Sequence, residues 1–224
     1  MIWKDGMKLV LFDMDHTLVP CDTGTVWNGF LARRGLITEA QHEQRQKFLF
    51  DYQAGILDME ASYRYELGIL QLFPKEEREE LLQEFFNLVI KPAISPKAIA
   101  QYEKHRKAGD FIILITATVE DIAKPVAEFF GVDHLIATRG KVNDDGEYTG
   151  EVEIEPCMGR GKLVHLEDWL QKTGNNPEHY TFYSDSHNDM PLLEQVDVPI
   201  VVDPDDHLRK IALANDWQIM SFVS

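Results

Sequence analysis

The chain has 224 residues, 44% of them hydrophobic and 27% charged, a balance that excludes disorder and suits one buried core with a modest insertion. Its 22 Lys and Arg against 38 Asp and Glu leave a formal charge of -16, which repels nucleic acid and anionic membrane surfaces and excludes both as expected partners. Any anion site must therefore be made locally, by a lysine, a metal ion or backbone N–H groups. Cys21 and Cys157 stand far apart and outside any CxxC pair, and Met1 to Lys8 lacks a signal-peptide apolar stretch, so a cytoplasmic protein without disulfides or structural zinc is expected.

In chain order, Leu9 to Phe12 is a short apolar run suited to a strand buried on both faces, and it ends abruptly at Asp13. From Val19 to about Pro92 no buried strand is legible, but Thr38 to Asp51 and Lys75 to Leu88 have helical spacing and many charges. Residues 21–92 are thus expected to form an α-helical cap, inserted into a core of residues 1–20 and 93–224 and closing over its site as a lid. A helical stretch from Lys97 to Lys107 stops at Gly109 and precedes the apolar run Phe111 to Ile115, which ends at Thr116. Helical Ile122 to Phe130 follows, then a hairpin around the turn Asn143-Asp144-Asp145-Gly146 and helical Leu163 to Gln171. Two further apolar runs, Tyr180 to Tyr183 and Pro199 to Val202, end at Ser184-Asp185 and Asp203. This alternation predicts an α/β, doubly wound parallel sheet of Rossmann-like form, with ligands bound beyond the carboxyl ends of the strands. Trp3, Trp27, Trp169 and Trp217 have no regular spacing and read as core.

The most informative stretch is Asp13-Met14-Asp15-His16-Thr17-Leu18-Val19, in which two carboxylates two residues apart follow a buried strand. With Thr116 after the second strand, Lys162 after Gly159-Arg160-Gly161, and Asp185-Ser186-His187-Asn188-Asp189 after the third, it resembles the haloacid dehalogenase-like hydrolases. More narrowly, it resembles their phosphoserine-phosphatase-like branch, whose pattern is DxDxT, a Ser or Thr, a Lys and GDxxND in that order. Two positions depart from the pattern: Ser184 stands where the last motif usually has glycine, and Ala117-Thr118 where glycines are common.

The resemblance implies a magnesium-dependent phosphatase. Asp13 would attack phosphorus to form an acyl phosphate, which divides one slow hydrolysis into two easier displacements. Asp15 would act as general acid and then general base. Asp13, the backbone carbonyl of Asp15 and Asp185 would hold Mg2+, with Asp189 as an outer ligand or orienting group. Lys162 and the Thr116 hydroxyl would offset charge on the phosphoryl oxygens, with Ala117 and Asn188 also lining the phosphate pocket. His16 is expected to shape the site rather than react.

The cap is expected to read the rest of a small phosphorylated metabolite. Asp22 matches in spacing the cap glutamate with which phosphoserine phosphatases meet the substrate's amino group. In one register Glu66 occupies their carboxylate-reading place, which would favour an amine-bearing ester without a carboxylate, such as L-histidinol phosphate. In a register two residues away Arg64 occupies that place, and phosphoserine is the alternative. Two rivals are a phosphotransferase and a receiver-like signalling domain. A receiver, however, has no use for Asp15 or for a cap. Oligomeric state is not legible in the sequence.

Overall fold

Side chains alternate faces along a strand, so a strand that is apolar throughout needs a core on each side. The computed structural model describes residues 7–223, and its first strand, β1 (Lys8–Phe12), has both cores. Val10 and Phe12 join one apolar cluster, and Leu9 and Leu11 join another. Four helices follow: α1 (Thr23–Arg33), α2 (Glu39–Gln53), α3 (Met59–Leu70) and α4 (Lys75–Phe85). The chain then returns through α5 (Pro96–Ala108) to β2 (Phe111–Val119), α6 (Glu120–Phe130), β3 (His134–Thr138), β4 (Gly140–Val142) and β5 (Tyr148–Val152). The remaining elements are α7 (Arg160–Thr173), β6 (His179–Ser184), α8 (Met190–Leu193), β7 (Val198–Val202), α9 (Asp206–Ala214) and β8 (Gln218–Met220).

Six strands pair in parallel in the order β3-β2-β1-β6-β7-β8, and β4 with β5 forms the expected antiparallel hairpin. The strand order reverses between β1 and β6, so the crevice past the ends of those two strands is where such a sheet binds its ligand. Helices α5 and α6 cover one face through Ala98, Tyr102, Ile122 and Val126. Helices α7, α8 and α9 cover the other through Leu166, Trp169, Leu192 and Leu208. Trp27 and Trp169 are buried, Trp217 packs on the second cluster, and Trp3 lies outside the described residues. The strand expected to stop at Thr116 instead runs on to Val119, but its pairing with β3 changes register between Ile115 and Val119. The irregularity turns Thr116, Ala117 and Thr118 toward the crevice while the strand continues.

Helix starts in the inserted segment follow local chemistry. Asp22 accepts from the Thr25 N–H at 2.6 Å, Thr38 and Gln41 form a capping box, and Asp58 accepts from the Ala61 N–H at 3.0 Å. The insertion packs through Trp27, Phe30 and Phe85, with ring centroids 5.3 to 5.7 Å apart, into the same apolar cluster as the sheet. No described helix is long and apolar enough to cross a membrane.

Candidate active site

Asp13 leaves the end of β1 with its N–H donating to the Tyr183 carbonyl of β6 at 2.9 Å, so its carboxylate emerges at the crevice. The next turn is tight: the Val19 N–H returns to the Met14 carbonyl at 2.9 Å, and His16 takes a left-handed φ of 58°. That turn brings Asp15 back over the same opening. Its Oδ1 accepts from the Thr23 N–H at 2.9 Å, and its Oδ2 accepts from the Thr118 hydroxyl.

Lys162 reaches the site from the first turn of α7. A Cβ at Gly161 would sit 2.0 Å from the Pro156 carbonyl oxygen, so only glycine lets the helix start this close to the preceding loop. The ammonium, 2% exposed, donates to Asp13 Oδ1 and to Asp189 Oδ2, both at 2.7 Å. Ser184, in place of the glycine, donates to Asp189 Oδ2 at 2.6 Å and accepts from the Ser186 N–H at 3.2 Å, which knits the loop behind Asp13. Asp185 Oδ1 accepts from the Thr17 hydroxyl at 3.1 Å. Thr116 is buried and its Oγ accepts from the Thr118 N–H at 3.1 Å, which leaves the hydroxyl proton free to donate into the crevice. The Ala117 carbonyl accepts from Tyr63 at 2.8 Å and Thr138 at 2.7 Å, and Asn188 donates to the Tyr52 hydroxyl at 2.6 Å.

Asp13, Asp15, Thr116, Lys162, Asp185 and Asp189 line one cavity of about 210 Å³ between the strand ends and helices α2 and α3. Of the residues expected to contact substrate, Asp22, Glu66, Ala117 and Asn188 are in its wall, and Arg64 is not. Arg64 instead pairs with Glu60 one turn back at 2.6 Å and is 66% exposed. Two residues along a helix is more than half a turn, so Glu66 and Arg64 cannot share a face. Sequence reasoning missed Arg45 of α2, which pairs with Asp22 Oδ1 at 2.9 Å and Glu66 Oε1 at 3.0 Å. It also missed Thr118 and the wall residues Phe48 and Tyr52. A usable signal existed, since Arg45, Phe48, Leu49 and Tyr52 fall at i, i+3, i+4 and i+7 on one helix face.

Crowded carboxylates dominate the electrostatics. Burial, then the neighbouring Asp13 and Asp189 charges, pushes the Asp185 carboxyl up to about 8. Burial and then Asp22 push Asp15 up to about 7, against the Thr118 hydrogen bond. Asp13 is also raised, by burial, although Lys162 opposes the shift. Lys162 is raised because its two carboxylates overcome burial.

The profile of the haloacid dehalogenase-like hydrolases matches residues 10–194. The chain belongs to that family. Within the family, it is 38% identical to a histidinol-phosphatase of Neisseria meningitidis, over 96% of this chain and 99% of that one. It is 39% identical to a Bordetella pertussis protein of unknown function whose crystal structure superposes with a TM-score of 0.90, over 96% of this chain and 98% of the other. A substrate-bound phosphoserine phosphatase shares the fold with a TM-score of 0.68 at 22% identity, over 97% and 94% of the two chains. The chain is a phosphatase of the haloacid dehalogenase-like hydrolases, and its fold is that of the phosphoserine phosphatases.

The donor set fits the divalent cation that this family implies. Asp13 and Asp185 offer only hard oxygens, and their mutual repulsion is what a cation would relieve. Among the described residues no three acidic, His or Cys side chains form a closed metal cage. Two carboxylates and a backbone carbonyl suit Mg2+, which keeps much of its water. A stability prediction follows for the metal-free protein. With Asp15 at about 7 and Asp185 at about 8, against 3.8 in the unfolded chain, the folded state holds more protons between those values. Stability therefore falls as pH rises from about 5 to about 8 in chelator, and Mg2+ restores it mainly at the alkaline end. Melting temperatures across that range, with and without Mg2+, test this, and a metal-free protein that gains stability toward pH 8 would contradict it.

Proposed function

We propose that the protein hydrolyses a small, cationic phosphomonoester, with L-histidinol phosphate as the best candidate, through a phospho-aspartyl intermediate on Asp13. The observation that carries the substrate reading is the far end of the cavity, where Asp22 and Glu66 face inward with a single arginine between them. That end is net negative by one charge and suits an ammonium or imidazolium group. Phe48, Tyr52 and Tyr63 add aromatic wall for a flat ring. The Neisseria histidinol-phosphatase supports the same reading. A volume of about 210 Å³ suits a small metabolite.

In the first half-reaction an Asp13 oxygen attacks phosphorus in line and the bond from phosphorus to the alcohol oxygen breaks. Asp15 delivers its proton to that leaving oxygen, which its raised pKa of about 7 equips it to do near neutrality. In the second, the Asp15 carboxylate takes a proton from water, the water oxygen attacks phosphorus, and the bond to Asp13 breaks to release inorganic phosphate. Lys162 fixes the Asp13 carboxylate through Oδ1 and places positive charge beside the reacting oxygens. The Thr116 hydroxyl donates to a phosphoryl oxygen, and Asn188 supplies a second donor when it turns from Tyr52. Asp13, Asp185 and the Asp15 carbonyl would hold Mg2+, which supplies Lewis-acid neutralisation of the phosphate dianion. Asp189, engaged by Lys162 and Ser184, acts as the orienting group.

Phosphate release from L-histidinol phosphate, phosphoethanolamine, L-phosphoserine and sugar phosphates, each with and without Mg2+, tests this reading. The cationic esters without a carboxylate are expected to lead by about tenfold or more in kcat/KM. Phosphoserine as the fastest substrate would overturn the substrate assignment, and no release from any ester would favour phosphoryl transfer to another acceptor.

A further inference from the structure

Arg45 is an unusual residue to find in the wall of a small-molecule cavity in its present state. It is 8% exposed and its guanidinium carries five N–H donors. Only one aligned hydrogen bond is made, from Nη2 to Asp22 Oδ1 at 2.9 Å, and the buried Nε–H has no partner among the described residues. The Glu66 contact, 3.0 Å from Nη1, is an ion pair without hydrogen-bond alignment. Glu66 is itself 7% exposed and lines the same cavity. Burying a guanidinium and a carboxylate together is costly unless their geometry is good, and here it is only fair.

The backbone is also shaped around this pair. A Cβ at Gly24 would lie 2.8 Å from Glu66 Oε1 and 3.0 Å from Arg45 Nη2. The first turn of α1 therefore leaves room for the two charged groups, which come from α2 and α3. Asp22, the cap residue of α1, holds the other side of the guanidinium while also accepting from the Thr25 N–H. Arg45 is thus fixed by Asp22 and capable of a stronger interaction than the one Glu66 gives it.

We infer that Arg45 is a masked carboxylate-binding residue, and that Glu66 occupies it as an internal substitute for a substrate carboxylate. Glu66 excludes acidic substrates in two ways. It takes the guanidinium that would receive their carboxylate, and it repels that carboxylate directly. The remaining acidic capacity at this end then serves the substrate's cationic group, so one side chain sets both what is admitted and what is refused. This inference rests on the reading of the cavity as the site of a cationic ester.

Its test is the ratio of kcat/KM for L-phosphoserine to that for phosphoethanolamine, two esters that differ by the carboxylate. In Glu66→Gln the ratio is expected to rise by about ten- to a hundredfold, the range of a charge-assisted hydrogen bond, with the gain carried by the KM for phosphoserine. Adding Arg45→Met to that variant should remove the gain. Glu66→Ala, which also opens space, serves as the second route if the glutamine packs poorly. A cap that is only loosened would lower kcat for both esters and leave the ratio where it was. That result, or a gain that survives Arg45→Met, overturns the inference while a wild-type preference for cationic esters stands. Wild-type protein that already prefers phosphoserine would instead overturn the substrate reading, and the inference with it.

Discussion

Asp13→Asn is expected to abolish turnover of every ester, a loss of about three to six orders of magnitude in kcat, without lowering the melting temperature of the metal-free protein. The activity loss follows from chemistry: the amide has no oxygen nucleophilic enough to attack phosphorus. Stability should move the other way. Asp13 is buried, its carboxyl is raised, and it is one of the charges that push Asp185 up to about 8. Neutralising it removes like-charge repulsion, and Lys162 keeps its bond to Asp189 at 2.7 Å. The folded state should therefore tolerate the change, while Mg2+, deprived of one carboxylate, should stabilise the variant less than the wild type. Acid quenching during turnover of a labelled ester gives a third readout, with label on the wild-type chain and none on the variant. Measurable steady turnover by Asp13→Asn would remove this residue from the nucleophile's role.

Burial of the strands on both faces explains why so much of the core was legible in the sequence. A strand buried on both faces must be apolar along its whole length, so the change from Phe12 to Asp13, or from Tyr183 to Ser184 and Asp185, marks its exit into the crevice. What was not legible depended on local irregularity or on partners far away in the chain. Thr118 reaches Asp15 because β2 shifts register beyond Ile115, and nothing in Phe111 to Val119 marks that shift. The spacing of Arg45 with Phe48, Leu49 and Tyr52 marks an inward face of α2, but the role of Arg45 on that face comes only from its contacts with Asp22 and Glu66. The choice between Arg64 and Glu66 turned on a register of two residues in α3, which the helix period decides once its buried face is known. Strand β3 went unread because His134 and Thr138 bound it and only its second half is buried, which leaves no continuous apolar run, and β8 because it has three residues and none of them is fully buried.

Lys162→Met is expected to cost both activity and stability, and the pH dependence of the stability loss separates charge from shape. Methionine keeps the length and apolar character of the stem but leaves Asp13 and Asp189 without their shared ammonium, to which both are bonded at 2.7 Å. Removing one partner from a buried ionic cluster costs about 3 to 5 kcal/mol. For a chain of this size that corresponds to a melting temperature lower by roughly 6 to 20 °C at pH 8 without metal. The sign of the pH effect is fixed by where the protons go. Without Lys162 the folded-state pKa of Asp13 rises further above its unfolded value, so the folded protein takes up a proton as pH falls and recovers stability. The deficit against wild type should therefore shrink between about pH 8 and pH 5.5, and kcat at neutral pH should fall by about a hundred- to a thousandfold. A deficit of equal size at both pH values would mean that Lys162 supports the loop before α7 by packing, and its electrostatic role beside the reacting oxygens would then need another residue.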